Sequence, residues 1–277
     1  MTLLSVVWAT VGLTMPSLLL AKANQPRSAS KWTLPRDTTI RNTARRTYRF
    51  TVVYYTANKT GQITHRQRVT GDYILGLPHN QVEWNDVTVA EANGDTAPFS
   101  APQKRGFMDG FHYRENADTF SPDFFRSFPP SATVERNLVW DTDMFKMFGQ
   151  KYLDRLKLNQ PLHIISDKDV KMPDLGTFRN RNVVLEWVGR SRRNGQDCAL
   201  IDYRAFFNPL HIANGGMTLI GRSDYWGEIW VSLATRQIEY STLHEEVTGE
   251  MKLSKQTALQ PISIFRIGSF RRLSTSH

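Results

Sequence analysis

From residue 182 onward the chain is a succession of strand-like segments separated by tight turns, and this leaves few folds open to it. "NVVLEWVGRS" (182–191) leads through "RRNG" into "QDCALIDYRAFF" (196–207). "GMTLIGRSDY", "WGEIWVSL", "RQIEYSTLHEEVTGEMKL" and "QPISIFRIGSF" follow. These segments are rich in β-branched and aromatic residues, which suit a pleated, half-buried surface. Asn194-Gly195 tolerates the positive φ that a two-residue hairpin demands. Strands joined this closely pair antiparallel. Strand and helix do not alternate, so the pattern speaks against a doubly wound sheet.

The first half carries the same signal less densely. "TYRFTVVYYT" (47–56) and "QITHRQRV" (62–69) flank the turn "ANKTG". "QVEWNDVTVAEA" (81–92) places Val82, Trp84 and Asp86 on one face, and "NGD" turns the chain after it. Residues 104–130, "KRGFMDGFHYRENADTFSPDFFRSFPP", are aromatic and interrupted by Gly and Pro. They read as a long ordered loop with a short helical turn at 121–126. In "VWDTDMFKMFGQKYLDRLKLN" the residues Met144, Phe145, Phe148, Tyr152, Leu153 and Leu156 recur at steps of three and four. That period predicts a helix over 142–158. Asp141 would be its N-cap, Asp143 would complement its positive end, and Lys157 would sit near the other end. Asn159 and Pro161 would stop it.

The expected fold is therefore mainly β (α+β): a curved antiparallel sheet, an open or half barrel, with one principal helix packed against it. A sandwich with a helical insertion is the alternative. Residues 43–277 are expected to form one domain containing the 104–130 loop and the helix. Hydrophobic residues are 40% and charged residues 22% of the 277, an ordinary globular balance. Residues 1–23, "MTLLSVVWATVGLTMPSLLLAKA", are apolar and uncharged up to Lys22. The small residues of Ala21-Lys22-Ala23 suit a signal peptidase, so they read as a secretory signal cleaved near Ala23. Residues 24–42 are polar with scattered Pro and Ser and read as a flexible leader. The expected location is periplasmic or extracellular. The formal charge of +9 then fits solubility, or an anionic envelope surface, better than nucleic acid. Cys198 is the only cysteine, so no internal disulfide forms, and its alternating surroundings mark it as a small buried hydrophobe.

In "RSDYWGEIWVSLATRQIEYSTL" (222–243) Trp226, Glu228, Trp230 and Ser232 share one face. Gly227, Ile229, Val231 and Leu233 share the other, which is core-like. This hairpin and the ascending "QIEYSTLHEEVTGEM" strand resemble the late hairpins of LolA-like periplasmic half-barrel proteins. The resemblance covers residues 182–270 at the level of pattern. It implies a curved sheet that wraps a helix and holds an acyl chain, and it transfers no binding residue by position.

Three kinds of function remain open. The favoured reading is an exported, non-catalytic binding or carrier protein for an apolar or amphipathic ligand such as a lipid. Sheet and helix would enclose the ligand, with Trp84, Phe145, Phe148, Trp187, Trp226 and Trp230 as lining. Arg190, Arg192 and Arg193 at a hairpin tip would form a patch for an anionic surface. The alternative is an extracellular hydrolase of glycan or ester, for which Asp224, Glu228, Asp109 and His112 are the candidates. A structural or surface-interaction domain is a third option. No cofactor or metal is expected: "HEEVTGE" has His244 but Thr at position 248, so it lacks the paired histidines of a zinc peptidase helix. Asn58-Lys59-Thr60 is a glycosylation sequon in a turn.

Overall fold

A computed structural model describes residues 33–34, 44–214, 216–253 and 258–273. They belong to one compact unit spanning 33–277. The apolar first segment and nearly all of the polar leader lie outside the described residues.

Among the described residues thirteen strands build one antiparallel sheet. They are β1 (Arg46–Ala57), β2 (Ile63–Leu77), β3 (Gln81–Asn93), β4 (Gln103–Lys104), β5 (Phe111–Arg114), β6 (Leu162–Ile165), β7 (Val170–Met172), β8 (Gly176–Phe178), β9 (Asn182–Arg193), β10 (Gln196–Asn214), β11 (Met217–Ser232), β12 (Ile238–Leu253) and β13 (Gln260–Arg272). The order is β4-β3-β2-β1-β13-β12-β11-β10-β8-β7, with β5 added to β3 and β9 lying between β10 and β6. The sheet is curved and does not close. The last strand pairs with the first, from Tyr48 opposite Arg272 to Ala57 opposite Ser263. That pairing joins the two halves of the chain.

Local chemistry explains the turns. Asn194 (φ 49°) and Gly195 (φ 74°) connect β9 to β10, both in the positive-φ region that this hairpin type requires. The β3 alternation does not run through as the sequence suggests. Asp86 takes φ 52° and the β2 register shifts there, so Asp86 is exposed and Val87 and Val89 carry on the buried face. The extra residue is a β-bulge, which period-two counting cannot see.

The principal helix, α1 (Thr133–Lys146), starts nine residues before the expected 142. It continues through a π-helical turn (Met147–Lys151) and a 3-10 turn (Leu153–Arg155). Asp141 is thus no N-cap but a buried mid-helix carboxylate, and Asp143 lies near the helix end beside Lys146 at 2.9 Å. The physical reason is that the first half of α1 carries only Leu138 and Val139 as fully buried apolar residues and is fastened besides by charged groups, which break the apolar period. Arg105 reaches Glu135 at 2.9 Å, Arg136 donates to the Pro173 carbonyl at 2.9 Å, and Arg266 of β13 binds Asp141. A search for hydrophobic periodicity passes over such a segment.

The inner side of the sheet is filled. Tyr48, Phe50 and Val52 of β1, Ile201 and Tyr203 of β10, and Ile229 and Val231 of β11 are buried in one core with Leu138, Phe145 and Phe148. The 104–130 stretch contains a 3-10 turn (Gly106–Met108) and β5, and it packs in as an aromatic cluster. Phe111 meets Phe128 at 4.8 Å, and Phe125 meets Trp140 of α1 at 5.4 Å.

Candidate functional site

Because the inner side is occupied, the site lies on the outer face, where alternate residues of β10, β11 and β12 emerge. In register, Arg204 stands opposite Trp226, and Trp226 opposite His244. One step along, Asp202 stands opposite Glu228. An open groove of about 550 Å³ is lined by Asp202, Arg204, Phe206, Trp226, Glu228 and His244, with Tyr203, Gly227 and Thr242 contributing beneath.

The floor of this groove is a gap in the ladder. Pairing of β11 with β12 runs to Trp226 opposite His244 and resumes at Ile229 opposite Ser241, passing over Gly227 and Glu228. Side-chain hydroxyls satisfy the freed backbone. Glu228 N–H donates to Thr242 Oγ1 at 3.0 Å, Ser241 Oγ donates to the Glu228 carbonyl at 3.0 Å, and Tyr203 donates to the Thr242 carbonyl at 2.6 Å. Gly227 is required for this. A Cβ there would collide with the Thr242 carbonyl and lie 2.7 Å from the Tyr203 hydroxyl.

The walls are aromatic. Trp226 stacks on His244, ring centres 5.7 Å apart and 12° from parallel, and Phe206 lies 6.3 Å from Trp226. Phe206 and Trp226 are 42% and 41% exposed, unusual for rings of this size in a sheet. Phe206 is pushed out by a bulge in β10 between Ala205 and Asn208, where Phe207 takes φ 58°. A bulky residue in that conformation is strained, and strain of this kind persists where the surroundings hold it. Asp224 holds it by accepting the Phe207 N–H, and the Arg222 guanidinium lies 5.1 Å from the Phe207 ring centre.

The groove is also charged. Asp202 faces Glu228 on one side and Glu186 on the other. Burial, then the charges of Glu228 and Glu186, hold the Asp202 carboxyl above its usual range. Arg204 lies 3.8 Å from Glu186. Among the described residues no group of three or more His, Cys, Asp or Glu side chains is placed to hold a metal ion.

The six aromatic residues expected as lining are divided by the sheet. Trp84, Phe145, Phe148 and Trp187 are buried in the core, where Phe148 packs on Tyr203 at 5.5 Å and Trp187 donates to the Gly189 carbonyl at 2.6 Å. They pack against side chains and do not enclose a cavity with the other two. Trp226 and Trp230 are on the outer face, and of the six only Trp226 lines the groove. Trp230 instead packs on Tyr240 at 5.1 Å. The tip arginines do not point one way. Arg190 and Arg192 are exposed, whereas Arg193 lies 3.9 Å from the Tyr240 ring centre.

The four hydrolase candidates do not converge in the sheet. Asp109 is salt-bridged to Lys104 at 2.6 Å, which lowers its carboxyl pKa, and His112 contacts the Gly110 carbonyl at 2.9 Å beside β3. Asp224 and Glu228 lie on β11, with β2, β1, β13 and β12 between. Cys198 is fully buried and its thiol is pushed up to about 12 by that burial, as its alternating context suggests. Phe206, Asp202 and Arg204 went unnoticed in the sequence. Their only signal was a shared strand phase, which acquires meaning once the register is known.

No protein-family model and no curated protein matches the sequence. Among solved structures the chain is similar to lipovitellin, in a structure concerned with its lipid–protein interactions, at 12% identity and a TM-score of 0.39. It is also similar to an AttH-designated protein from Nitrosomonas europaea, at 12% identity and a TM-score of 0.25. A DUF1329 family protein from Desulfovibrio piger matches at 8% identity and a TM-score of 0.16, over 83% of this chain and 87% of that one. The chain spans 26% of the lipovitellin chain and 52% of the AttH-designated chain, with 85% and 84% of its own length covered.

Proposed function

We propose that this protein is a non-catalytic binding protein for an amphipathic ligand, held on the outer face of its curved sheet. The supporting observation is the pairing of an exposed aromatic wall, Phe206, Trp226 and His244, with charged groups in one open groove. An apolar chain can lie against the rings, and across the strands the wall is continued by Ile267, opposite His244 and 49% exposed. A polar head can meet Asp202, Arg204 and Glu228. Few convergent polar groups beside an apolar surface are what such sites need. On this reading the ligand lies outside the sheet, because the interior is packed with side chains.

The same reading puts the protein outside the cytoplasm, on the strength of the apolar first segment ending in Ala21-Lys22-Ala23. Exposed Arg190 and Arg192 on a chain of formal charge +9 suit an anionic envelope surface there.

The test is a tryptophan-fluorescence titration with n-decyl maltoside below its critical micelle concentration, on the wild type and on Trp226→Ala. Saturable binding that weakens at least tenfold in the variant supports the reading. Equal binding by both proteins, or no binding by either of this or any other decyl amphiphile, cationic or anionic, refutes it.

A further inference from the structure

Directly opposed like charges on neighbouring strands destabilise a sheet. In this one Asp202 is opposed by carboxylates on both sides, Glu186 on β9 and Glu228 on β11. The three acids are not equivalent. Glu186 has Arg204 at 3.8 Å. Asp202 and Glu228 line the groove, and Asp202 Oδ1 is buried without a hydrogen-bond partner among the described residues. A buried acceptor left unpaired destabilises the fold. Such conflicts between local chemistry and fold concentrate at functional sites. The chain as a whole carries an excess of nine positive charges, so this negative spot runs against its general field.

What would satisfy it is a cation. The groove offers the two elements that recognise an organic ammonium group: carboxylates for its charge, and the exposed Trp226 and Phe206 rings for its face. A bare metal ion has no use for the rings, and an anionic head would face two carboxylates with Arg204 as the one guanidinium of the lining. From this arrangement we infer that the ligand's head is a cationic amine or quaternary ammonium group, seated between Asp202, Glu228 and Trp226. This inference rests on the proposed amphipathic ligand and names its head group. Arg204 is turned in part to Glu186, 3.8 Å away, so the groove's two carboxylates, Asp202 and Glu228, still outnumber its one guanidinium.

The test compares three probes that share a decyl chain, all below their critical micelle concentrations: decyltrimethylammonium, decanoate and n-decyl maltoside. Isothermal titration calorimetry would be run on the wild type and on Glu228→Gln and Asp202→Asn, with thermal melts to confirm that each variant folds. The inference predicts that decyltrimethylammonium binds at least tenfold more tightly than either of the others. It also predicts that this preference falls towards unity in both variants. If decyl maltoside or decanoate binds as well as the cation, or if the preference survives both substitutions, the head-group inference is wrong while the amphipathic site stands. If no probe binds, both fall.

Discussion

Arg266, on β13, binds Asp141, on α1, and so fastens the helix to the sheet across 125 positions of sequence. The same guanidinium binds Glu245 of β12, whose other oxygen accepts from Ser223 at 2.5 Å. Tyr54 covers Arg266 with its ring centre 5.1 Å away. One buried cation therefore pairs with two carboxylates, the buried Asp141 and the half-buried Glu245. Removing one partner of such a network leaves uncompensated charge, which costs about 3–5 kcal/mol. Arg266→Met is expected to lower the unfolding free energy by about that much, measured by urea denaturation. A loss under about 1 kcal/mol, the range of exposed pairs, would contradict this account of how α1 is held.

Asp141 also fixes a pH dependence. Burial raises its carboxyl to about 6 from an ordinary 3.8, against the lowering effect of Arg266, with Glu245 adding to the rise. The folded state thus holds this proton more tightly than the unfolded one. Its contribution to stability is greatest below the unfolded value and is lost as pH rises through about 6. The wild type should gain stability relative to Asp141→Asn as pH falls from about 6 towards 4, with a constant difference above 7. Paired melts over that range would show it. A difference that shrinks as pH falls would reverse the sign.

The groove floor depends on a hydroxyl. Tyr203→Phe removes the donor to the Thr242 carbonyl where the ladder is open. Its expected cost is about 1 kcal/mol, the usual net value of one hydrogen bond. Gly227→Ala is expected to cost more, because its methyl meets a backbone carbonyl that cannot rotate away. Denaturation midpoints for the two variants should fall in that order. The opposite order would show that the gap is not filled as described.

Cys198 should be inert in the folded protein. Its side chain is buried and its thiol titrates near 12, so almost no thiolate exists at neutral pH. Ellman's reagent should react only on unfolding. Stoichiometric reaction within minutes under native conditions would contradict the packing around β10.

The hairpins were legible because their chemistry is local. Asn194-Gly195 announces its own turn, and the Gly227, Ile229, Val231 face is buried as its alternation suggests. The principal helix and the open curved sheet follow from the same patterns. What the sequence hid was non-local. The start of α1 is written in Glu135, Arg136 and Asp141, whose partners lie at positions 105, 173 and 266. The bulges at Asp86 and Phe207 shift the strand phase without leaving a compositional mark. The groove was hidden for the same reason, since Asp202 and Glu228 stand 26 positions apart and meet only through the register. Aromatic residues were noticed as a class, but size and ring type do not say which face of a sheet they occupy. Trp187 is buried and Trp226 is open.

The central claim is that the outer groove carries the ligand. Native mass spectrometry of the protein after gentle purification tests it most directly, with a Phe206→Ala, Trp226→Ala variant measured beside it. The account predicts an adduct on the wild type that dissociates on denaturation, is identified as an amphipathic molecule, and is lost in the variant. A bare wild-type mass that takes up no amphiphile on addition, or an adduct equally present in the variant, would contradict it.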